Sequence, residues 1–232
     1  MHRIILIETS TALCSTALSE DGMIVCSRES ITPRAHASMT APFIKQMLDE
    51  RGLKVSDCDA VCVSSGPGSY TGLRVGSSTA KGLCFGAGIP LIAVDTLQVL
   101  ADQAISDGLI PEGCTAIVPM IDARRMEVYS AVFSTSGERQ TETEARIVEN
   151  GAFSELLSKG KVLFIGDGAA KCESTIGCSN AIFVQICPKA EAMASTAEKY
   201  FAQNNFVNTA YFEPFYLKDF IATTSKKDIL HN

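Results

Sequence analysis

A glycine-rich stretch at residues 66–76, GPGSYTGLRVG, constrains the fold of this chain more than any other segment. The short apolar run at 60–64 before it predicts a buried strand, and the small apolar residues at 75–85 after it predict a helix. The stretch is therefore a strand–loop–helix corner. Its glycines permit positive φ and the close approach of a backbone or an anion, and the free N–H groups that open the helix favour negative charge.

The spacing of these glycines does not match two common nucleotide-binding motifs. A Walker loop needs lysine after its last glycine, but Leu73 and Arg74 follow Gly72. A dinucleotide fingerprint needs a third glycine where this chain has Thr71. An anion-binding loop and a tight turn that packs the helix on a neighbour both remain open.

Composition narrows the class of protein. The 232 residues make one large or two small domains. A net charge of −6 argues against a chain that binds nucleic acid by itself, because the phosphate backbone requires a basic surface. The nine cysteines include no Cys-x-x-Cys pair and predict reduced thiols in a cytoplasmic protein. The start is too short for a signal peptide, and no apolar run approaches the ~20 residues of a membrane span.

Two segments of the chain share one pattern, which predicts a duplication. Strands at 3–8, 14–18 and 23–27 open the first half, and strands at 116–121 and 127–133 open the second. The first strand of each half ends in an acidic residue, Glu8 or Asp122. Chance similarity between hairpins is the alternative. Because helices follow in both halves, we predict two β-β-β-α-β-α half domains, 1–105 and 106–232, that face each other across a cleft, with the C-terminal tail packing back on the first.

Capping and periodicity predict the remaining elements. In chain order they are a helix at 36–48 with an apolar face, a strand at 90–94, a helix at 97–105 capped by Asp95 and Thr96, a helix capped by Asn150 that reaches 159, a strand at 162–165, a second corner at 166–170, a strand at 182–184 and a long helix at 188–204.

The residues that hydrolases, metal sites and ATPases require are sparse. The histidines are His2, His36 and His231, and the residue one helical turn after His36 is Thr40. A Ser-His-Asp peptidase is therefore disfavoured, and no metal site is predicted. The turn at 8–11 has hydroxyls but no glycine to cradle phosphate, so we expect no catalytic residue and no nucleotide bound by the chain alone.

Five segments resemble the bacterial TsaB (YeaZ) family. Residues 66–76 match its glycine-rich signature, and residues 122–129, DARRMEVY, match its Asp-Ala-Arg segment. Residues 8–11, 36–42 and 214–218 are similar to its Asp-Thr-Ser-Thr, His-Ser and Pro-x-Tyr-Leu-Arg motifs, with Glu8 as a departure. The resemblance covers most of the chain in the right order.

The resemblance implies both a fold and a role. Its fold is similar to that of actin and the heat-shock chaperone ATPases. Its role is that of a non-catalytic subunit that dimerises with and activates TsaD, a metal-bearing paralogue that transfers threonylcarbamoyl to an adenosine of tRNA. The ATPase TsaE joins them, ATP and tRNA can be engaged only within the complex, and the isolated subunit can pair with itself. The catalytic relatives carry a histidine pair one turn apart, which is absent here. A small-molecule kinase of the same fold, or less readily a peptidase, is the alternative.

Two sets of residues are candidates for these roles. Small residues recur every four positions from Gly72, which we interpret as a surface for close helix–helix contact. The predicted interface set is His36, Met39, Phe43, Met47, Gly72, Gly76, Thr79, Ala80 and Leu83. The predicted cleft set is Glu8, Thr9, Ser10, Thr11, Gly66, Gly68, Ser69, Thr71, Arg74, Asp122 and Arg124, in which Glu8 and Asp122 cap turns or pair with Arg124 or Arg74.

Overall fold

The computed structural model describes residues 1–218, and their first half forms a five-stranded mixed sheet. Its strand order is β3-β2-β1-β4-β5, in which β2 runs antiparallel to β1 and β3 while β1, β4 and β5 run parallel. The strands are β1 (Arg3–Glu8), β2 (Cys14–Glu20), β3 (Met23–Ser30), β4 (Ala60–Ser64) and β5 (Leu91–Val94). The helices are α1 (His36–Glu50), α2 (Tyr70–Ala87) and α3 (Thr96–Ser106).

The second half repeats this topology. Its sheet has the order β10-β9-β6-β7-β8, in which β7 runs antiparallel to β6 and β8 while β6, β9 and β10 run parallel. The strands are β6 (Cys114–Asp122), β7 (Glu127–Ser130), β8 (Glu144–Ile147), β9 (Lys161–Ile165) and β10 (Ala181–Val184). The helices are α4 (Ser154–Leu157), α5 (Glu173–Ile176) and α6 (Ala194–Ala202). The predicted duplicated α/β fold is confirmed.

Alternation along β1 explains why the first sheet is covered on both faces. Ile5 and Ile7 pack with α1 and α2, whereas Ile4 and Leu6 pack with the residues around α6. All four side chains are fully buried. A strand with an apolar residue at every position is therefore a strand between two helical layers.

The final helix of each half packs on the sheet of the other half. Leu97, Leu100 and Ala104 of α3 share a core with Ile117 and other residues of the second sheet. Ala197 of α6 joins the core of the first sheet. Asp95 begins α3 as predicted, because its side chain accepts the N–H groups of the first turn.

Two predicted helices differ from the structure. Asn150 does not cap a helix, because Gly151 adopts φ +81° in a turn and α4 begins only after Phe153. The long helix predicted from 188 opens as a 3₁₀ turn at Ala190–Met193. Its first N–H groups bind side chains of the first half instead, with Ala190 N–H donating to Ser15 Oγ at 3.1 Å.

No helix within residues 1–218 is long and apolar enough to cross a membrane.

Candidate functional site

The turn after β1 is buried against the start of α2. Thr9 Oγ1 donates to the Gly72 carbonyl oxygen at 2.8 Å, and Ser69 N–H donates to the Ser10 carbonyl oxygen at 2.6 Å. Ser69 also begins the helix, because its Oγ accepts the Gly72 N–H at 3.3 Å. Strand β1, the turn and the glycine-rich loop therefore form one interlocked corner.

The glycines of the loop and of the first turns of α2 are required by this contact. A Cβ on Gly68 would lie 2.4 Å from the Ser10 carbonyl oxygen, and one on Gly72 would lie 2.0 Å from that of Thr9. One on Gly76 would lie 2.3 Å from Thr9 Oγ1. Each distance is shorter than a carbon–oxygen contact can be. Glycines four residues apart lie on one side of the helix, so the turn after β1 can approach its backbone closely along that side.

This geometry corrects the interpretation of the small residues as a surface for a second helix. Ala80 continues the glycine row and is fully buried in the core of its own sheet, beside Val61 and Val63. Phe43 and Met47 of α1 are buried in the same monomer. The side chains along the glycine row are small, and those of Phe43 and Met47 are buried, because the sheet and the turn of the same chain pack against them.

Glu8 ends β1 as a fully buried carboxyl group. Its Oε1 accepts the Ser10 N–H at 2.5 Å, so it caps the turn as predicted. Burial raises the pKa of Glu8 to about 7; the contact with Ser10 lowers it, and the charge of Asp167 raises it further. Within residues 1–218, buried oxygens at or just after the ends of the three parallel strands β1, β4 and β5 have no hydrogen-bond partner: Glu8 Oε2, Ser10 Oγ, Thr11 Oγ1, Ser64 Oγ and Thr96 Oγ1.

The second half builds the opposing wall in the same way. A Cβ on Gly166 would lie 2.2 Å from the Met120 carbonyl oxygen. The loop that follows β9 therefore packs closely on the end of β6. Asp167 Oδ1 accepts the Asp122 N–H at 2.9 Å. Burial raises the pKa of Asp167 to about 6, and the charge of Asp122 adds to that effect. Sequence analysis found this corner but did not name Asp167.

Asp122 and Arg124 lie in an exposed turn that side-chain contacts of Asp122 hold in place. Asp122 Oδ1 accepts the Arg124 N–H at 2.7 Å and pairs with Lys171. Arg124 and Arg125 adopt φ of +72° and +50°, which side-chain-bearing residues rarely do. The prediction that Asp122 caps a turn agrees with this geometry, although its cationic partner is Lys171 and not an arginine.

The other predicted cleft residues divide between buried and exposed positions. Gly66 is buried at φ +103°, whereas Ser69, Thr71 and Arg74 are exposed. The Arg74 guanidinium lies 4.1 Å from the centre of the Tyr70 ring.

The histidines are engaged in contacts unlike those of a triad. His36 Nε2 lies 2.9 Å from the Thr11 carbonyl oxygen, and His2 pairs with Glu198. His231 lies outside the described residues. Within residues 1–218 no three His, Cys, Asp or Glu side chains are grouped to hold a metal ion. The prediction of a chain without a metal stays a prediction.

Part of the predicted interface is accessible on the outer face of α1 and α2, which pack against each other. His36, Met39, Thr79 and Leu83 are partly exposed there. The outer face also includes exposed residues that sequence analysis did not name: Gly82, Phe85 and Gly86. Phe85 is 90% exposed, and a Cβ on either glycine would meet open space. The sequence carried one signal for this face: Gly82 lies in the predicted helix and Gly86 directly follows it, and glycine is unfavourable in a helix unless something packs closely against it.

Comparisons with known proteins agree on one group of relatives. The family model described as TsaD, tRNA N6-adenosine threonylcarbamoyltransferase, matches residues 28–225. The tRNA threonylcarbamoyladenosine biosynthesis protein TsaB of Escherichia coli (strain K12) is 31% identical over 95% of this chain and 96% of its own length. The TsaB protein of Haemophilus influenzae is 37% identical over 53% of this chain and 50% of its own.

Solved structures give the same picture. YeaZ from Pseudomonas aeruginosa superposes with a TM-score of 0.79 at 28% identity, over 94% of this chain and all of that one. A protein described as uncharacterized, with similarity to peptidase YEAZ from Pseudomonas aeruginosa, gives 0.82 at 29% identity over the same shares.

Proposed function

The chain belongs to the TsaB (YeaZ) family, and from this premise we propose that it is a non-catalytic subunit that dimerises with and activates a TsaD-type transferase during formation of threonylcarbamoyladenosine in tRNA. The observation that carries the proposal is 31% sequence identity to the Escherichia coli TsaB protein, in an alignment that spans nearly the whole of both chains. The chemistry of the corner agrees, since its glycines are required for packing and Asp122 caps a turn.

The outer face of α1 and α2 is the docking surface in this proposal. It presents Met39, Thr79 and Leu83 partly exposed, next to Gly82 and Phe85. An aromatic side chain 90% exposed on a helix is suited to burial in a partner, because aromatic anchors dominate protein interfaces. The neighbouring glycines permit a second helix to approach closely. The same face pairs with a second copy of the chain when the transferase is absent, since a twofold contact is self-complementary.

Substitutions at Gly82 test this surface without touching the core. Gly82→Glu places a charge where a Cβ meets nothing within 4 Å, and Gly82→Ala is the matched control without the charge. We expect Gly82→Glu to weaken binding to the transferase at least tenfold in a titration, because it buries an unpaired charge. Both variants should melt no lower than the parent. Normal binding by Gly82→Glu would exclude this face as the docking surface.

The remaining partners and ligands follow from the same role. ATP, the TsaE-type ATPase and tRNA are engaged through the complex, in the cytoplasm, and the chain alone binds neither nucleotide nor tRNA. A net charge of −6 supports this, because phosphate backbones require a basic surface. Titration calorimetry of the isolated chain with ATP and magnesium checks the point. Tight binding would favour a kinase instead.

A further inference from the structure

The chain after α6 folds back over the first half as an extended strap, residues 205–218. It begins beside the edge strand β5, where Val207 N–H donates to the Leu91 carbonyl oxygen at 2.9 Å in an antiparallel bridge. Phe212 then packs with the core under α2. The strap therefore contacts the free edge of the first sheet at Leu91, and edges of this kind are otherwise open to pairing with another chain.

A lysine of α2 fastens the middle of the strap. Lys81 Nζ donates to the carbonyl oxygens of Ala210 and Phe212, at 3.0 and 3.1 Å. Both contacts go to main-chain oxygens of the strap, so the charge of Lys81 is directed at the strap. Charged donors make stronger hydrogen bonds than neutral ones.

The strap next crosses the glycine-rich loop at Gly66. Phe215 N–H donates to the Ser65 carbonyl oxygen at 2.7 Å. The Phe215 carbonyl oxygen lies 2.7 Å from the place where a Cβ on Gly66 would be. Tyr216 then contacts the ring of Tyr70, with ring centres 4.9 Å apart. Loop and strap are complementary in shape, and a glycine is required at their crossing.

The end of the strap reaches the other half of the molecule. Lys218 pairs with Glu127 at the start of β7. That carboxylate is 20% exposed, and the lysine is 43% exposed. The strap thus runs from β5 in the first sheet to β7 in the second.

We propose that residues 205–218 form a releasable latch that positions the start of α2 and ties the two halves together, with Lys81 and Lys218 as its fasteners. The latch is releasable because its last fastener is a single, partly exposed ion pair, which contributes little to stability in contact with solvent. Its release frees the loop at Gly66 while both sheets stay folded. The inference concerns the isolated chain and does not depend on a transferase partner.

Hydrogen–deuterium exchange of the full chain tests the outer fastener by charge reversal. Lys218→Glu and Glu127→Lys should each speed exchange of the Phe215 amide at least about twofold, because the fully exposed ion pairs whose contribution sets the lower bound are worth a few tenths of a kcal/mol or more. The double variant restores the pair and should return to the parent rate. Lys159→Glu is the matched control, because Lys159 pairs with Glu155 one helical turn away and not with any residue of the strap. Unchanged exchange in the single variants, or no restoration in the double variant, would overturn the latch.

A second variant tests the inner fastener. Lys81→Met keeps the apolar stem and removes both charged hydrogen bonds, so strap amides should exchange at least about tenfold faster. Amides of β1 and β4 should keep the parent rate. Equal acceleration throughout the chain would mean that the strap is an inseparable part of the fold and would overturn the proposal.

Discussion

Replacing Gly72 by alanine tests the packing of the corner most sharply. The new Cβ would lie 2.0 Å from the Thr9 carbonyl oxygen, a backbone atom in a turn that is fully buried. Relief requires the turn or the helix to shift. Overpacking of this kind costs about 1–3 kcal/mol, and the gain in helix propensity offsets at most about 1 kcal/mol of it. We expect a net loss of about 1–2 kcal/mol in the free energy of unfolding.

Gly82→Ala is the control for this prediction, because it adds the same methyl group to the same helix in open space. It should raise the free energy of unfolding by about 0.5–1 kcal/mol. Urea titrations followed by circular dichroism under reducing conditions measure both changes, and unchanged m-values would show that only stability moved. If Gly72→Ala were as stable as Gly82→Ala, the close approach of the turn would not explain the glycine.

Further predictions concern the core and the buried carboxyl. Ala80→Glu should unfold the monomer at ambient temperature or lower its melting temperature by more than 10 °C, since it buries a charge beside Val61 and Val63; a variant that melts like the parent would place the residue outside the core. Because the pKa of Glu8 is raised from 4.5 to about 7, the stability it contributes is complete below pH 4.5 and is lost as pH rises through 7, by about 3 kcal/mol. Glu8→Gln should therefore be more stable than the parent at pH 8, by a margin that shrinks toward pH 4.5. Chemical unfolding at several pH values measures this margin, and a margin that does not change with pH would contradict the prediction.

The sequence predicted the elements whose signals are local. Strand β4 was predicted with its observed bounds, and Asp95 began α3 as expected, because an apolar run and a capping side chain act within a few residues. The repeated hairpins predicted the duplication, because both sheets impose the same alternation.

Which segment packs against the row of glycines in α2 could not be predicted from local signals. Small residues at four-residue spacing fit a partner helix and a close turn equally well. Only the position of Thr9, far away in the sequence, decides between them. Likewise, nothing near Pro188 indicates that Ser15 accepts the N–H of Ala190 and so changes the start of the last helix. Contacts between distant segments decided both cases.

The central claim is that the chain is required by a transferase and does not perform the transfer itself. The most direct test measures threonylcarbamoyladenosine formed on tRNA by a TsaD-type transferase and a TsaE-type ATPase supplied with threonylcarbamoyl adenylate, with and without this chain. The account predicts product only when the chain and the transferase are both present, and none from the chain alone. Product from the chain without the transferase, or full product when the chain is omitted, would contradict it.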